Sequence, residues 1–394
     1  MDAPLVDGTS VRDPSRIVAG MPRSGIREVF DLAHQIPGAI HLEAGEPSFP
    51  TPWHICQAAI DALHKGDTKY TPNAGIPELR RAIAEDVGRR HGLEVEADQV
   101  VVTTGGGAAL FTAMKALTDP GDGVLMSDPT WPNYRMILAM QGLEPQPFPL
   151  LETDGLIPRA EVIERHITDR SKVLIVNSPA NPTGVVIPAD ALADLVELAR
   201  RHDLWIISDE VYDQLTFDAE AVPTARFDSD GRVVTVNSFS KTYAMTGWRV
   251  GYAISQSDTA PLISKVQEPI TSCVNSPAQR AALAALTGPQ DAVAEMRGAY
   301  RERRDLVLKI LDAGGVPVVR PQGAFYAWVD IGRSGMSDKE FARRLVVERH
   351  VAVVPGTTFG SRGSRSIRLS LATDTDLLTE GVSRLVQAIA DWSS

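Results

Sequence analysis

At 394 residues the chain is too long for one small core, and one large domain with a smaller companion is the expected organisation. Its 43% hydrophobic and 23% charged residues are those of an ordinary globular protein, and a formal net charge of -11 argues against nucleic acid or an anionic membrane as partner. Two cysteines, Cys56 and Cys273, supply neither a disulfide framework nor a zinc pattern, and no stretch approaches the roughly eighteen apolar residues of a membrane span.

Residues 1 to about 20 are polar, with Pro4, Gly8 and Pro14, and read as an arm. Met1 to Ser15 carries Asp2 and Asp7 and lacks the apolar centre of a secretion signal, so a cytoplasmic location is expected. Ser24 to Gln35 reads as a helix capped by Ser24, with Ile26, Val29, Phe30 and Ala33 on one face. A short strand follows from Ile40 and breaks at Gly45 and Pro47, before a helix from about His54 to Lys65. Pro77 opens an amphipathic helix that runs to His91.

From there short apolar runs alternate with helical patterns. Strands are expected at Gln99–Thr103, Gly123–Ser127, Lys172–Asn177, Leu204–Ser208, Val233–Ser238 and Val250–Ser255. Helices are expected at Ala108–Leu117, about Trp131–Gln141 and Ala189–His202. This alternation predicts an α/β fold with a mostly parallel sheet covered by helices on both faces. After about Gln290 comes a long helix whose Arg301, Glu302, Arg303 and Arg304 read as a solvated face. Short strands at Val316–Val319, Ala324–Asp330, Val351–Pro355 and Ser366–Ala372 surround a helix at Ser337–Arg349, and a last helix covers about Asp376–Trp392. The expected division is 1–47 as arm and part of a small α+β domain built from both termini, 48–290 as the large domain, and 291–394 as the rest of the small one.

Open parallel sheets bind ligands beyond the carboxyl ends of their strands, which puts several segments on one rim. Gly105-Gly106-Gly107 turns a strand into a helix, where exposed amides and the helix dipole favour an anion. Asn181 sits in a loop shaped by Pro179, Pro182 and Gly184, and Asp209 ends an apolar strand. Lys241 follows Ser238 and Ser240, with Arg249 eight residues on. An amine near two hydroxyls and a guanidinium suits Schiff-base chemistry beside a phosphate. Taken singly, each segment also reads as ordinary turn or capping chemistry.

Together they resemble the pyridoxal-phosphate aminotransferases of class I/II (fold type I), close to the bacterial aspartate/aromatic subgroup. The matching pieces are Ala44-Gly45-Glu46-Pro47, Lys69-Tyr70, Asn181-Pro182-Thr183-Gly184, Ser208-Asp209-Glu210, Ser238 to Lys241, Gly247 to Tyr252, Gly323-Ala324-Phe325-Tyr326 and Ile367-Arg368-Leu369-Ser370. The resemblance implies that Lys241 holds pyridoxal 5'-phosphate as a Schiff base and shuttles the substrate proton. It implies that Asp209 pairs with the ring nitrogen, that Tyr212 and Asn181 bond the ring's 3-oxygen, and that Trp131 stacks on the ring. Ser238, Ser240, Arg249 and the amides of Gly105 to Gly107 would hold the phosphate, with Tyr70 reaching the site of a second subunit in a homodimer. Arg368 would pair with the substrate α-carboxylate, supported by Gly45 and Asn181. The Asp128–Pro129 and Asn181–Pro182 bonds are expected to be cis, and no metal is expected.

One position departs from the subgroup. Its acid-specific members carry a lysine in a Gly-Gly-Lys turn, and here Gly107 stands in that place. This favours a neutral aliphatic or aromatic amino acid as one substrate, unless Arg23 or Arg27 substitutes. The expected reaction moves the amine of an L-amino acid to a 2-oxo acid. C–S β-elimination or oxidative deamination on the same cofactor is the alternative; a non-enzymatic sensor fused to a DNA-binding module is disfavoured by the short segment before Gly45.

Overall fold

A computed structural model describes residues 13–21 and 25–393; Arg23 and the expected Ser24 cap lie outside them. Thirteen strands occur among these residues. They are β1 (Ile40–His41), β2 (Val100–Thr103), β3 (Gly123–Asp128), β4 (Glu144–Pro149), β5 (Ser171–Asn177), β6 (Trp205–Asp209), β7 (Val233–Ser238), β8 (Gly251–Ile254), β9 (Val318–Val319), β10 (Tyr326–Asp330), β11 (Val351–Ala352), β12 (Val354–Pro355) and β13 (Ser366–Ser370).

Seven strands form the main sheet in the order β2-β8-β7-β6-β5-β3-β4, parallel except for β8, which runs against both neighbours. The near-continuous apolar runs are explained by two cores. Val124 and Met126 of β3, Val173 and Ile175 of β5 and Ile207 of β6 point to one face, where Leu110 and Met114 of the helix Gly106–Leu117 meet them. The alternate residues Leu125, Leu174, Val176 and Ile206 point to the other, against Leu192 and Leu195 of the helix Ala189–Arg201. A strand buried on both sides has no polar alternation to show.

β4 was not expected, and Pro145, Pro147 and Pro149 argue against a strand there. Its place at the sheet edge resolves this. Glu144 N and Leu150 N donate toward the β3 side, so residues of even number face the partner and the prolines face outward. The missing N–H groups fall on the open edge, where no ladder bond is lost and where proline discourages stray pairing.

The C-terminal part forms a second layer. β12-β13-β10-β9 is an antiparallel sheet, and β1 pairs in parallel with β11, tying the N-terminal segment to it. The expected strand Val351–Pro355 divides, with β11 and β12 joining different sheets. Leu42, Leu311, Phe325, Phe341, Leu369 and Leu385 share one core beneath the helices Asp291–Ala313, Asp338–Arg349 and Thr375–Trp392. Two helices, Ala260–Thr271 and Ser276–Thr287, fill a stretch for which no element was expected.

The long helix corrects one reading. Arg301 and Glu302 are solvated, but Arg303 and Arg304 are buried. Arg303 donates to Ser48 Oγ at 2.9 Å, and Arg304 donates to Asp305 Oδ1 at 2.8 Å and Pro321 O at 3.0 Å, pairs with Asp218 and lies 5.0 Å from the Phe217 ring centroid. Buried guanidinium is tolerable because nearly every donor has a partner. Part of the side chain's role is packing, so Arg304→Ala is expected to cost roughly 2–3 kcal/mol and Arg304→Met clearly less. Chemical denaturation checks this; equal losses for the two variants would mean that packing of the stem contributes nothing.

Candidate active site

Because β2, β3, β5, β6 and β7 run the same way, their carboxyl ends share one rim, and the reversed β8 begins there. A cleft of about 220 Å³ opens at this rim. Every expected site residue lines it except Gly105 and Tyr70. Gly105 lies just behind, whereas Tyr70 is 89% exposed and takes no part in the cleft of a single chain. The Asp128–Pro129 and Asn181–Pro182 bonds are cis as expected, and Ser178–Pro179 is cis as well.

β7 leads directly into a one-turn helix, Phe239–Thr242, whose N-cap is Ser238. Ser238 Oγ accepts from Ser240 N at 3.1 Å and donates to Ser240 Oγ at 2.9 Å, which fixes the turn and both hydroxyls. Lys241 projects from this turn and donates from Nζ to Gly45 O at 2.7 Å. Burial lowers its pKa to about 8; Glu46 opposes the shift, and the positive charges of Arg249 and Arg368 reinforce it.

Asp209 ends β6 and is buried. Burial pushes its carboxyl up to about 6, while the Tyr134 hydroxyl at 2.5 Å, the Val211 amide and Lys241 pull the other way. At neutral pH it is therefore mostly ionised, and a cation brought against it would hold it so.

Arg249 precedes β8 with φ 55, a left-handed backbone that costs a side-chain-bearing residue roughly 1–2 kcal/mol. That conformation brings its guanidinium to the N-terminus of the helix Gly106–Leu117. Gly105 has φ +80, and a Cβ there would sit 2.5 Å from Arg249 Nη2. Only bare backbone allows this approach, so helix amides, a guanidinium and two serine hydroxyls converge on one spot. A phosphate-bearing aldehyde that needs an amine, an anion cradle and a buried acid fits these residues. At Gly107, by contrast, a Cβ would meet nothing within 4 Å among the described residues.

Arg368 enters from β13, only 1% exposed. It donates to Asn181 Oδ1 at 3.1 Å and Glu43 O at 2.6 Å, and lies 4.2 Å from the Tyr326 ring centroid and 4.9 Å from that of Phe359. Burial pulls its pKa down, and its Nε has no hydrogen-bond partner among the described residues. An orphaned buried donor on a cation is what an incoming carboxylate would satisfy.

Two tyrosines are among the cleft residues that received no role from the sequence. Tyr134, three residues beyond Trp131, bonds Asp209. Tyr326, inside a motif already matched, places its hydroxyl 2.9 Å from that of Tyr212. Position on the helix or in the motif marked their presence, but only packing shows what they touch. A Lys241 pKa near 8 has a direct consequence: the neutral amine, the reactive form, predominates above about pH 8. Schiff-base formation by cofactor-free protein with an aldehyde should therefore rise with a midpoint near 8, and a midpoint near that of an ordinary lysine would contradict the environment described.

The model of the family Aminotransferase class I and II matches residues 37–385. The chain is 42% identical to the probable aspartate/prephenate aminotransferase of Thermus aquaticus, over 95% of this chain and 97% of that one. It is 41% identical to the aspartate aminotransferase of Thermotoga maritima, over 94% and 98%. The solved aspartate aminotransferase from Thermus thermophilus with maleate superposes with a TM-score of 0.92 at 40% identity, covering 96% of this chain and 100% of that one. Agreement over nearly the whole length decides in favour of amino-group transfer over the alternative reactions: the chain belongs to the class I and II aminotransferases and is a pyridoxal-phosphate-dependent enzyme that passes an amino group from an amino acid to a 2-oxo acid.

Proposed function

We propose that Lys241 carries the cofactor and moves the substrate proton, and that the preferred amino donor is an L-amino acid with a neutral aliphatic or aromatic side chain. The observation that carries the first part is the meeting, in one cleft, of the Lys241 amine, the buried Asp209 carboxylate and the buried Arg368, whose Nε has no partner among the described residues. When bound, pyridoxal phosphate supplies an electron sink that lets the Cα–H bond ionise. Asp209, held by Tyr134, keeps the ring nitrogen protonated. Lys241 Nζ takes the Cα proton and returns it, a task suited to an amine whose pKa lies near ambient pH.

Tyr212 donates to the ring's 3-oxygen, Trp131 covers one ring face, and Ser238, Ser240, Arg249 and the amides of Gly105 to Gly107 receive the phosphate. Arg368 takes the substrate α-carboxylate, with Asn181 and Gly45 beside it. The exposed side chain of Tyr70 supports a homodimer in which this residue completes the partner's site. No helix among the described residues is long and apolar enough to cross a membrane, and a cytoplasmic location belongs to the same reading. So does the division into 1–47, 48–290 and 291–394, supported by a core drawn mainly from Ile40, Leu42 and residues after 291, into which Tyr212, Leu215, Phe217 and Ala244 also reach.

Specificity rests on the walls. The cations lining the cleft among the described residues are Lys241, Arg249 and Arg368, and each has a role. Ile26, Leu110 and Trp131 line the same cleft as Gly107. Arg27 turns away, exposed and paired with Asp31 at 3.1 Å. The names of the relatives make aspartate the competitor to test.

Lys241→Ala should lose the visible absorbance of the covalently held cofactor; retained absorbance removes Lys241 from this role. Arg368→Lys should raise KM about tenfold or more for every α-amino acid tried, a loss of about 1.4 kcal/mol or more. In a panel with 2-oxoglutarate or pyruvate as acceptor, neutral donors should exceed aspartate in kcat/KM, and Gly107→Lys should shift the ratio toward aspartate about tenfold or more. A wild-type preference for aspartate would end the neutral-donor reading, and an unchanged ratio in Gly107→Lys would remove Gly107 from the account of specificity.

A further inference from the structure

We propose that Tyr326 is a positioning residue that couples Arg368 to Tyr212, orienting the Tyr212 hydroxyl with its own and holding the Arg368 guanidinium with its ring face. This rests on the roles proposed above for Tyr212 and Arg368.

Tyr326 begins β10 opposite Ser370 of β13, and Arg368 pairs with Trp328 two residues along. Tyr326 and Arg368 are therefore diagonal neighbours on one sheet face, within reach of an aromatic side chain. The guanidinium lies 4.2 Å from the Tyr326 ring centroid and 4.9 Å from that of Phe359, so two aromatic rings hold it. Tyr212 arrives from the other layer, three residues past the end of β6. Its hydroxyl is 2.9 Å from that of Tyr326. Both tyrosines and Arg368 are buried, and all three line the cleft. Gly45 leaves room for this: a Cβ there would collide with the Tyr326 hydroxyl.

The proton count gives the pair its direction. Each hydroxyl has one proton, and among the described residues neither has a hydrogen-bond partner other than its mate. If Tyr212 sends its proton to an acceptor in the cleft, Tyr326 must donate to the Tyr212 oxygen. A donor behind Tyr212 polarises its O–H and strengthens the forward bond. Tyr326→Phe removes that donor but keeps the ring on Arg368. Tyr326→Leu removes both. The two variants therefore separate the two halves of the proposal.

The test uses holoenzyme. Weaker donation from Tyr212 leaves the ring's 3-oxygen anion less stabilised, so the bound cofactor should hold its titrating proton to higher pH. For Tyr326→Phe the midpoint of the visible pH titration is expected to rise by about half a unit or more, roughly threefold in proton affinity, with KM for the amino acid within about twofold of wild type. For Tyr326→Leu, KM should rise about tenfold or more. An unmoved midpoint in Tyr326→Phe overturns the coupling, and so does an equal rise of KM in both variants. Should Tyr326→Leu fail to retain cofactor, Tyr326→Phe alone decides through its midpoint. A wild-type protein with no chromophore after addition of pyridoxal phosphate would sink the underlying reading instead, and is distinguishable for that reason.

Discussion

Taking the Lys241 amine out of water while keeping it chemically usable is the constraint to which the surrounding structure answers. Burial alone pulls the ammonium toward neutrality, and the carbonyl of Gly45, 2.7 Å away, gives it a partner. Arg249 and Arg368 push in the same direction, and Glu46 and Asp209 resist. None of these neighbours comes from the lysine's own turn. They arrive from the start of β8, from β13, from the loop after β1 and from the end of β6. The sheet order that brings these ends together is thus part of the chemistry and cannot be separated from it.

The same logic accounts for the one reversed strand. A parallel β8 would have left Arg249 at the opposite end of the sheet. Running antiparallel between β2 and β7, it delivers Arg249 beside the N-terminus of the helix Gly106–Leu117. The left-handed backbone at Arg249 and the bare backbone at Gly105 are local costs accepted for that approach. Conformational cost concentrated at a binding rim is a common feature of functional sites.

The second layer contributes its groups through a different geometry. Arg368 and Tyr326 lie on adjacent antiparallel strands, so their mutual position is set by strand register, while their contacts with Asn181 and Tyr212 cross to the main sheet. A substrate carboxylate taken by Arg368 and a ring oxygen bonded by Tyr212 would then communicate through side chains already packed together. Asn181 and Tyr326 provide two such links from the same arginine.

Much of this was legible in the amino-acid order alone. Apolar runs alternating with amphipathic stretches specify a parallel sheet, because strands buried on both faces need no polar residues. The chemistry-bearing residues fall just past those runs, and the matched motifs named the family. What stayed hidden depends on neighbours distant in the chain. Edge placement made a strand of the proline-rich Glu144–Pro149, since missing N–H groups cost nothing on an open side. Partners at Ser48, Asp218 and Pro321 buried Arg303 and Arg304, which read as solvated charges in isolation. Tyr134 and Tyr326 gained meaning only when folding set their hydroxyls against Asp209 and Tyr212. Local periodicity determines which elements form; which polar group meets which is decided by packing across the sheet, where a few ångströms separate a hydrogen bond from none.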